Sequence, residues 1–177
     1  RDWHMYPGFF ALQEGFAMIS VNYRLAPKAK YSDELDDLIA AILHIKAHAA
    51  EWNLNADRLY LYGTSAGGNL VSVAGLKGHN ERAPYAVRAI AALCPLLSFT
   101  WMWEDRHQAG VSLFQKIMVP YVCRQVFGGS PAKVLPKMKL ASAENYIETT
   151  IPPFYLQTGT ADPAIDYRHV SRFYDLM

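Results

Sequence analysis

The stretch Arg58-Leu59-Tyr60-Leu61-Tyr62-Gly63-Thr64-Ser65-Ala66-Gly67-Gly68-Asn69-Leu70 decides the architecture. Arg58 to Tyr62 is a short apolar run that reads as a buried strand. Gly63 to Gly68 reads as a tight turn. Asn69 to about Lys77 reads as a helix, with Leu70, Val73, Ala74 and Leu76 apolar. A strand that enters a helix through a glycine-rich turn gives Gly63-Thr64-Ser65-Ala66-Gly67 its meaning as G-x-S-x-G. The chain must reverse sharply at Ser65, which puts a nucleophile on a strained backbone. A side chain at Gly63 or Gly67 is expected to clash across the turn, and Gly67 and Gly68 are expected to belong to the binding turn. Ser65 then projects from the carboxyl end of the sheet. The backbone N–H of Ala66 opens the helix, where unpaired N–H groups and the helix dipole favour an oxyanion. A phosphate loop of the G-x-x-x-x-G-K-[ST] kind is excluded, because Lys followed by Ser or Thr is missing after Gly68.

The flanks alternate between the two periods. Phe16 to Tyr23 is an apolar, β-branched run and is expected to be another buried strand, with Pro27 blocking further pairing. Ser32 to about Trp52 is expected to be a long helix. Leu35, Leu38, Ile39, Ile42, Ile45, Ala49 and Trp52 form its apolar stripe. Asp33, Glu34, Asp36 and Asp37 crowd its start. They could hold a metal, but they also complement the positive end of the helix dipole, and that account suffices. Val87 to Leu93 and Pro153 to Gly159 read as further strands, and a last helix begins near Ala164. Strand–helix alternation implies βαβ units and a parallel sheet with right-handed crossovers. Apolar strands that do not alternate imply helices on both faces, a three-layer α/β sandwich. Ser98 to Ile151 is too long for a plain connection. It holds Trp101, Trp103, Phe114, Tyr121 and Phe127, with helices expected near 107–127 and 131–140. It is either a lid or substrate wall, or helical cover for the sheet. The whole chain, 1–177, reads as one partial domain with this insertion at about 98–151.

Composition excludes several classes. The 177 residues are 51% hydrophobic and 19% charged, enough for a core and far from disorder. With 17 basic and 16 acidic side chains the net charge is +1, which gives no support to nucleic-acid binding. No apolar run reaches the length of a membrane span. Cys94 and Cys123 are too few for a disulfide scaffold; both are expected to be unpaired, as suits a cytoplasmic protein. The start, Arg1-Asp2-Trp3-His4-Met5-Tyr6, lacks the features of a signal peptide. The sequence stops within what reads as an amphipathic helix. It is therefore expected to be a piece of a longer protein.

A serine nucleophile needs a base, and the base needs a carboxylate to hold its tautomer. In this architecture the chain order is Ser, acid, His. Asp162, in Thr158-Gly159-Thr160-Ala161-Asp162-Pro163, follows a strand on the same sheet edge as Ser65. Its other reading is an Asx turn or helix cap. Asp166 is a weaker substitute inside the helix. The histidines are His4, His44, His48, His79, His107 and His169. Only His169 follows Asp162, and its side chain is expected to stay near its own helix. His44 and His48, four apart, lack the glutamate of an H-E-x-x-H motif. No histidine in the chain is expected to be the base, and neither a metal nor an organic cofactor is expected.

Three motifs in this order resemble the α/β-hydrolase superfamily, in its hormone-sensitive-lipase-like and acetyl- or feruloyl-esterase-like branch. They are Val21-Asn22-Tyr23-Arg24-Leu25-Ala26-Pro27, the turn Gly63 to Leu70, and Ala143 to Tyr146 with Pro152-Pro153 and the strand into Asp162-Pro163. Thr64 stands where the hormone-sensitive-lipase branch usually has Asp, which favours the acetyl- and feruloyl-esterase-like relatives. The resemblance implies a serine carboxylester hydrolase acting on a small-molecule ester. Its His-Gly-Gly oxyanion loop would lie before residue 1 and its catalytic histidine beyond Met177. It also implies a missing strand between Phe16–Tyr23 and Arg58–Tyr62, leaving both without their common neighbour. A serine peptidase of the prolyl-oligopeptidase kind and a non-catalytic hydrolase-fold binding protein are the alternatives. Acyl and alcohol specificity and oligomeric state are not legible.

Overall fold

The computed structural model describes residues 9–177, except for the side chain of Phe9. A short helix α1 (Phe9–Gln13) leads to α2 (Tyr31–His48), then to β1 (Tyr60–Thr64) and α3 (Ala66–Asn80). After β2 (Ala89–Leu93) come three helices, α4 (Phe99–Glu104), α5 (Leu113–Phe127) and α6 (Pro131–Leu140). The strand β3 (Phe154–Gln157) and the helix α7 (Tyr167–Leu176) complete the order.

The strands form one parallel sheet in the order β1-β2-β3. Leu61, Ile90 and Phe154 lie in register across it and point to one face. That face carries the core. α3 lies over it with Leu70, Val71, Val73, Ala74 and Leu76 buried, and Phe173 of α7 meets the Phe154 ring at 5.7 Å. Tyr60, Tyr62 and Tyr155 point the other way. There Phe16, just past α1, sets its ring edge-on to Tyr60 at 5.6 Å.

Phe16–Tyr23 is not a strand: it makes no ladder with any described residue. Its apolar, β-branched composition suits a pleated surface, but a strand forms only against a neighbour that takes its N–H and C=O groups. The described residues offer it none. The strand expected at Arg58–Tyr62 begins two residues later. Asn55 accepts a hydrogen bond from the Asp57 N–H, 2.9 Å, and this winds 56–58 into a 3-10 turn first.

α2 begins at Tyr31, where the Lys30 N–H donates to Asp33, 2.8 Å. The other acids of that turn clasp the preceding segment. Glu34 accepts from the Ala26 N–H at 3.1 Å, and Asp37 takes both the Arg24 N–H and its guanidinium, each at 2.9 Å. The Arg24 guanidinium hydrogen bond holds the Asp37 carboxyl below its ordinary range. The cluster thus does structural work on 24–26.

The stretch 98–151 does not form one helix over 107–127. It breaks at Gly110, which has φ +85°. α5 restarts at its N-cap Ser112, which accepts from the Gln115 N–H at 3.0 Å, and ends at Gly128 in the left-handed conformation, φ +81°. Trp101, Met102, Val119, Cys123, Phe127, Val134 and Met138 join the same core as Leu61 and Ile90. Trp101 is core; Trp103 is half-buried, with the Arg106 guanidinium over its ring at 3.3 Å.

Candidate active site

Ser65 has φ +53° and ψ −119°. These are the dihedrals of the first central residue of a type II′ turn, a place glycine normally takes. Strain of this kind costs on the order of 1–3 kcal/mol and persists only when the surroundings over-determine it. They do so here. The Ser65 N–H donates to the Leu93 carbonyl at 2.9 Å, and the Ser65 carbonyl accepts from Asn69 at 3.1 Å and Leu96 at 3.4 Å. The end of β2 and the loop after it therefore clamp the turn. The Ser65 side chain stays exposed.

The glycines divide differently from the sequence expectation. A Cβ on Gly63 would come within 2.4 Å of the Gly67 carbonyl oxygen. A Cβ on Gly67 would meet nothing within 4 Å, so the expected clash there does not exist. The second constrained glycine is Gly68, whose Cβ would lie 2.9 Å from Cβ of Pro95. The reason is direction: Gly63 faces into the turn, whereas Gly67 faces outward on the first turn of α3. Ala66 is the first residue of α3, so its N–H has no intrahelical carbonyl to serve.

Asn69 is a participant that periodicity does not single out. It is 1% exposed, and its amide donates to the carbonyls of Leu96, 2.6 Å, and Ala141, 2.8 Å. The turn helix is thereby tied both to the loop after β2 and to the approach to β3. Nearby, Glu144 accepts from Ser98 at 2.5 Å and Thr100 at 2.8 Å, and burial raises its pKa. The only signal in the sequence is a polar residue on an apolar helix face.

Asp162 lies past the carboxyl end of β3, as expected. Its Oδ1 accepts from the N–H groups of Ala164, 2.8 Å, and Ile165, 3.1 Å. The Asx turn is therefore real, and it fixes the carboxylate while Oδ2 makes no hydrogen bond among the described residues. Asp166 is not inside α7 but is its N-cap, and it pairs with Arg168. β1 and β3 flank β2, so the strands that lead into Ser65 and Asp162 lie two spacings apart, about 10 Å. For the two to act as a triad a histidine would stand between them.

None of the described histidines does. His169 is 4% exposed, with Nε2 3.3 Å from Asp105 and its ring near Trp101. His48 stacks on Trp52, and His44 packs against both rings, tilted to His48 and edge-on to Trp52. His79 faces Thr150 at 3.4 Å, and His107 is exposed. His4 lies outside the described residues. Among the described residues no cluster of His, Cys, Asp and Glu is arranged to hold a metal, and no helix is long and apolar enough to cross a membrane. Cys94 and Cys123 are free.

Two hollows lie near the sheet. One of about 280 Å³, apolar, opens at the amino ends of the strands beside Tyr60, Ala89 and Tyr155, away from Ser65. The other, about 270 Å³, lies beside Asp162.

Comparison with known proteins identifies the family and the fold. The BD-FAE family model matches residues 5–177. The chain is 26% identical to the probable carboxylic ester hydrolase LipM of Mycobacterium tuberculosis, over 91% of this chain and 37% of that protein. It is 32% identical to the arylesterase of Saccharolobus solfataricus, over 84% of this chain and 48% of that protein. It therefore spans less than half the length of either. Among solved structures, a bifunctional GH43-CE protein of Bacteroides eggerthii superposes with a TM-score of 0.79 at 24% identity, covering 96% of this chain and 25% of that one. The parallel sheet with its helices is the α/β-hydrolase fold of esterase structures such as those from Thermogutta terrifontis and Rhizomucor miehei.

Proposed function

Because the chain belongs to the BD-FAE family, we propose that it carries the nucleophile and the acid of a serine carboxylester hydrolase. One observation carries this reading. Ser65 is held at φ +53° by hydrogen bonds that its N–H donates and its carbonyl accepts, with its side chain exposed on the carboxyl edge of the sheet. A merely structural turn would place glycine there and relieve the strain.

In the mechanism, Ser65 Oγ attacks the ester carbonyl carbon. A histidine outside this chain takes the hydroxyl proton, and Asp162 orients that histidine. The Ala66 N–H donates to the oxyanion, together with a second donor from outside the chain. Collapse breaks the carbon–oxygen bond of the ester. The histidine gives its proton to the leaving alkoxide, and the acyl group stays on Ser65. Water then attacks the acyl-enzyme by the same steps and regenerates Ser65. The reacting partner is a small-molecule ester. Residues 98–151 form one wall of the site rather than a separate lid, supported by the shared core of α4, α5 and α6.

The test is covalent trapping in the full-length protein. A fluorophosphonate is expected to add one equivalent, mapped to the peptide holding Ser65 and absent in Ser65→Ala. A folded, complete protein that takes no adduct at Ser65 overturns the proposal.

A further inference from the structure

We propose that the outward face of α5 docks onto an anionic lipid–water interface, with its apolar ridge in the acyl layer and the cations of its segment on the headgroups. Such docking goes beyond the ester-hydrolase reading of Ser65 and is independent of it.

α5 is apolar on two sides. Its inward face buries Val119, Cys123 and Phe127 in the core. Leu113, Phe114, Ile117 and Tyr121 lie on the other side and are between 53% and 72% exposed. At about 100° of rotation per residue these four fall within one arc and form a continuous ridge. A helix that is apolar all round is ordinarily buried all round, and a contiguous exposed apolar patch marks a contact surface. Tyr121 adds a ring of the kind favoured at the headgroup level of a bilayer.

Charge selects the partner. Residues 106–143 contain no Asp or Glu and six cations, Arg106, Lys116, Arg124, Lys133, Lys137 and Lys139. That segment therefore carries +6, while the other 11 basic and 16 acidic side chains leave the rest of the chain at −5. None of the six forms an ion pair among the described residues, where the pairs are made by Arg24, Lys77, Arg168, His169 and Arg172. Arg124 falls within the arc of the ridge at its carboxyl end, and Lys116 falls at its edge. Two copies meeting on this face would set one +6 segment against another, which opposes self-association. A nucleic acid would satisfy the cations but leave the ridge in water. An anionic bilayer satisfies both: its headgroups attract the cations and its acyl layer takes up the ridge. α5 starts beside the loop of Asp162, where Ser112 Oγ donates to the Pro163 carbonyl at 2.5 Å, so docking would bring that loop close to the lipid surface.

The experiment is sedimentation of the full-length protein with two kinds of vesicle, phosphatidylcholine alone and phosphatidylcholine with about 30% phosphatidylglycerol, at about 0.1 M salt. Binding to the anionic vesicles is expected to be at least about tenfold tighter than to the neutral ones, and to weaken as salt is raised. Lys116→Gln combined with Arg124→Gln should weaken it on the order of tenfold. Phe114→Ser combined with Ile117→Ser should weaken it on the order of tenfold as well. Because Phe114 and Ile117 are exposed, the serine variant should melt within a few degrees of the unaltered protein. No binding to anionic vesicles, equal binding to both kinds, or anionic binding that survives either pair of changes overturns the docking surface. A serine variant that fails to fold, or melts far lower, also overturns it, because another part of the protein then covers the ridge. Sedimentation reads no ester cleavage and can be run equally on Ser65→Ala, so failure of the hydrolase reading and failure of docking are told apart.

Discussion

Gly63 lies so close to Gly67 that a methyl group on its α-carbon would stand 2.4 Å from the Gly67 carbonyl oxygen, while a methyl on Gly67 would touch nothing. The two glycines of one motif therefore carry different physical loads. Gly63→Ala must push the turn open, and backbone atoms cannot yield as side chains do. It is expected to cost about 3 kcal/mol or more and to abolish fluorophosphonate labelling of Ser65. Gly67→Ala places alanine in the first turn of a helix and is expected to leave thermal stability within about 1 kcal/mol of the unaltered protein. Equal losses for the two substitutions would contradict the geometry.

Asn69 joins three segments through one amide. Asn69→Ala removes both donors and leaves the Leu96 and Ala141 carbonyls buried without their partners. A loss of about 2–4 kcal/mol in urea unfolding is expected. Asn69→Asp is expected to be at least as harmful above neutral pH, because a carboxylate would face two carbonyl oxygens. An Asn69→Ala protein with an unchanged midpoint would show that the clamp on the turn does not depend on this tie.

Burial lowers the pKa of His169 below its ordinary 6.5, and outweighs the attraction of Asp105. Between the folded and unfolded values the unfolded chain binds the extra proton, so acid favours unfolding there. The His169 contribution is complete above about pH 6.5 and is lost as pH falls through the folded value. Glu34 and Glu144, both raised by burial, act with the opposite sign: their contribution is present below the unfolded value of 4.5 and is lost as pH rises through their folded values. The measurement is therefore a difference between unfolding curves of His169→Gln and the unaltered protein from pH 4 to 8. The difference should change only below about pH 6.5. A flat difference would contradict the burial argument.

Cys123 is fully buried, and burial pushes its thiol up to about 11. The thiolate is the reactive form. Iodoacetamide at pH 8 is expected to leave Cys123 unmodified in the native protein and to modify it in urea, as read by peptide mass. Alkylation of Cys123 in the native state at the rate of a free thiol would refute the packing of α5 against α6.

Much of the site was legible because its chemistry is local. The strand–turn–helix around Ser65 follows from apolar runs and glycine spacing within a dozen residues, and the same is true of Asp162 after its strand. Asn69 was not legible. It is one polar residue in a helix, and its importance comes from a segment far away in sequence, at Ala141. The strand expected at Phe16–Tyr23 failed for a related reason. Composition reports that a segment suits a sheet, but not whether a neighbour is present to pair with it.

The sequence by itself determined the parallel α/β arrangement and the positions of Ser65 at the apex of its turn and of Asp162 past a strand on the same sheet edge. These depend on periodicity, on steric limits at glycine and on the handedness of crossovers, all of which act over short stretches. Tertiary structure alone decided which glycines are obligatory, where each helix breaks, what the acids of α2 hold, and that His169 turns to Asp105 instead of toward Ser65. Those outcomes depend on which surfaces meet, and burial then sets the cost of every polar group left at the contact.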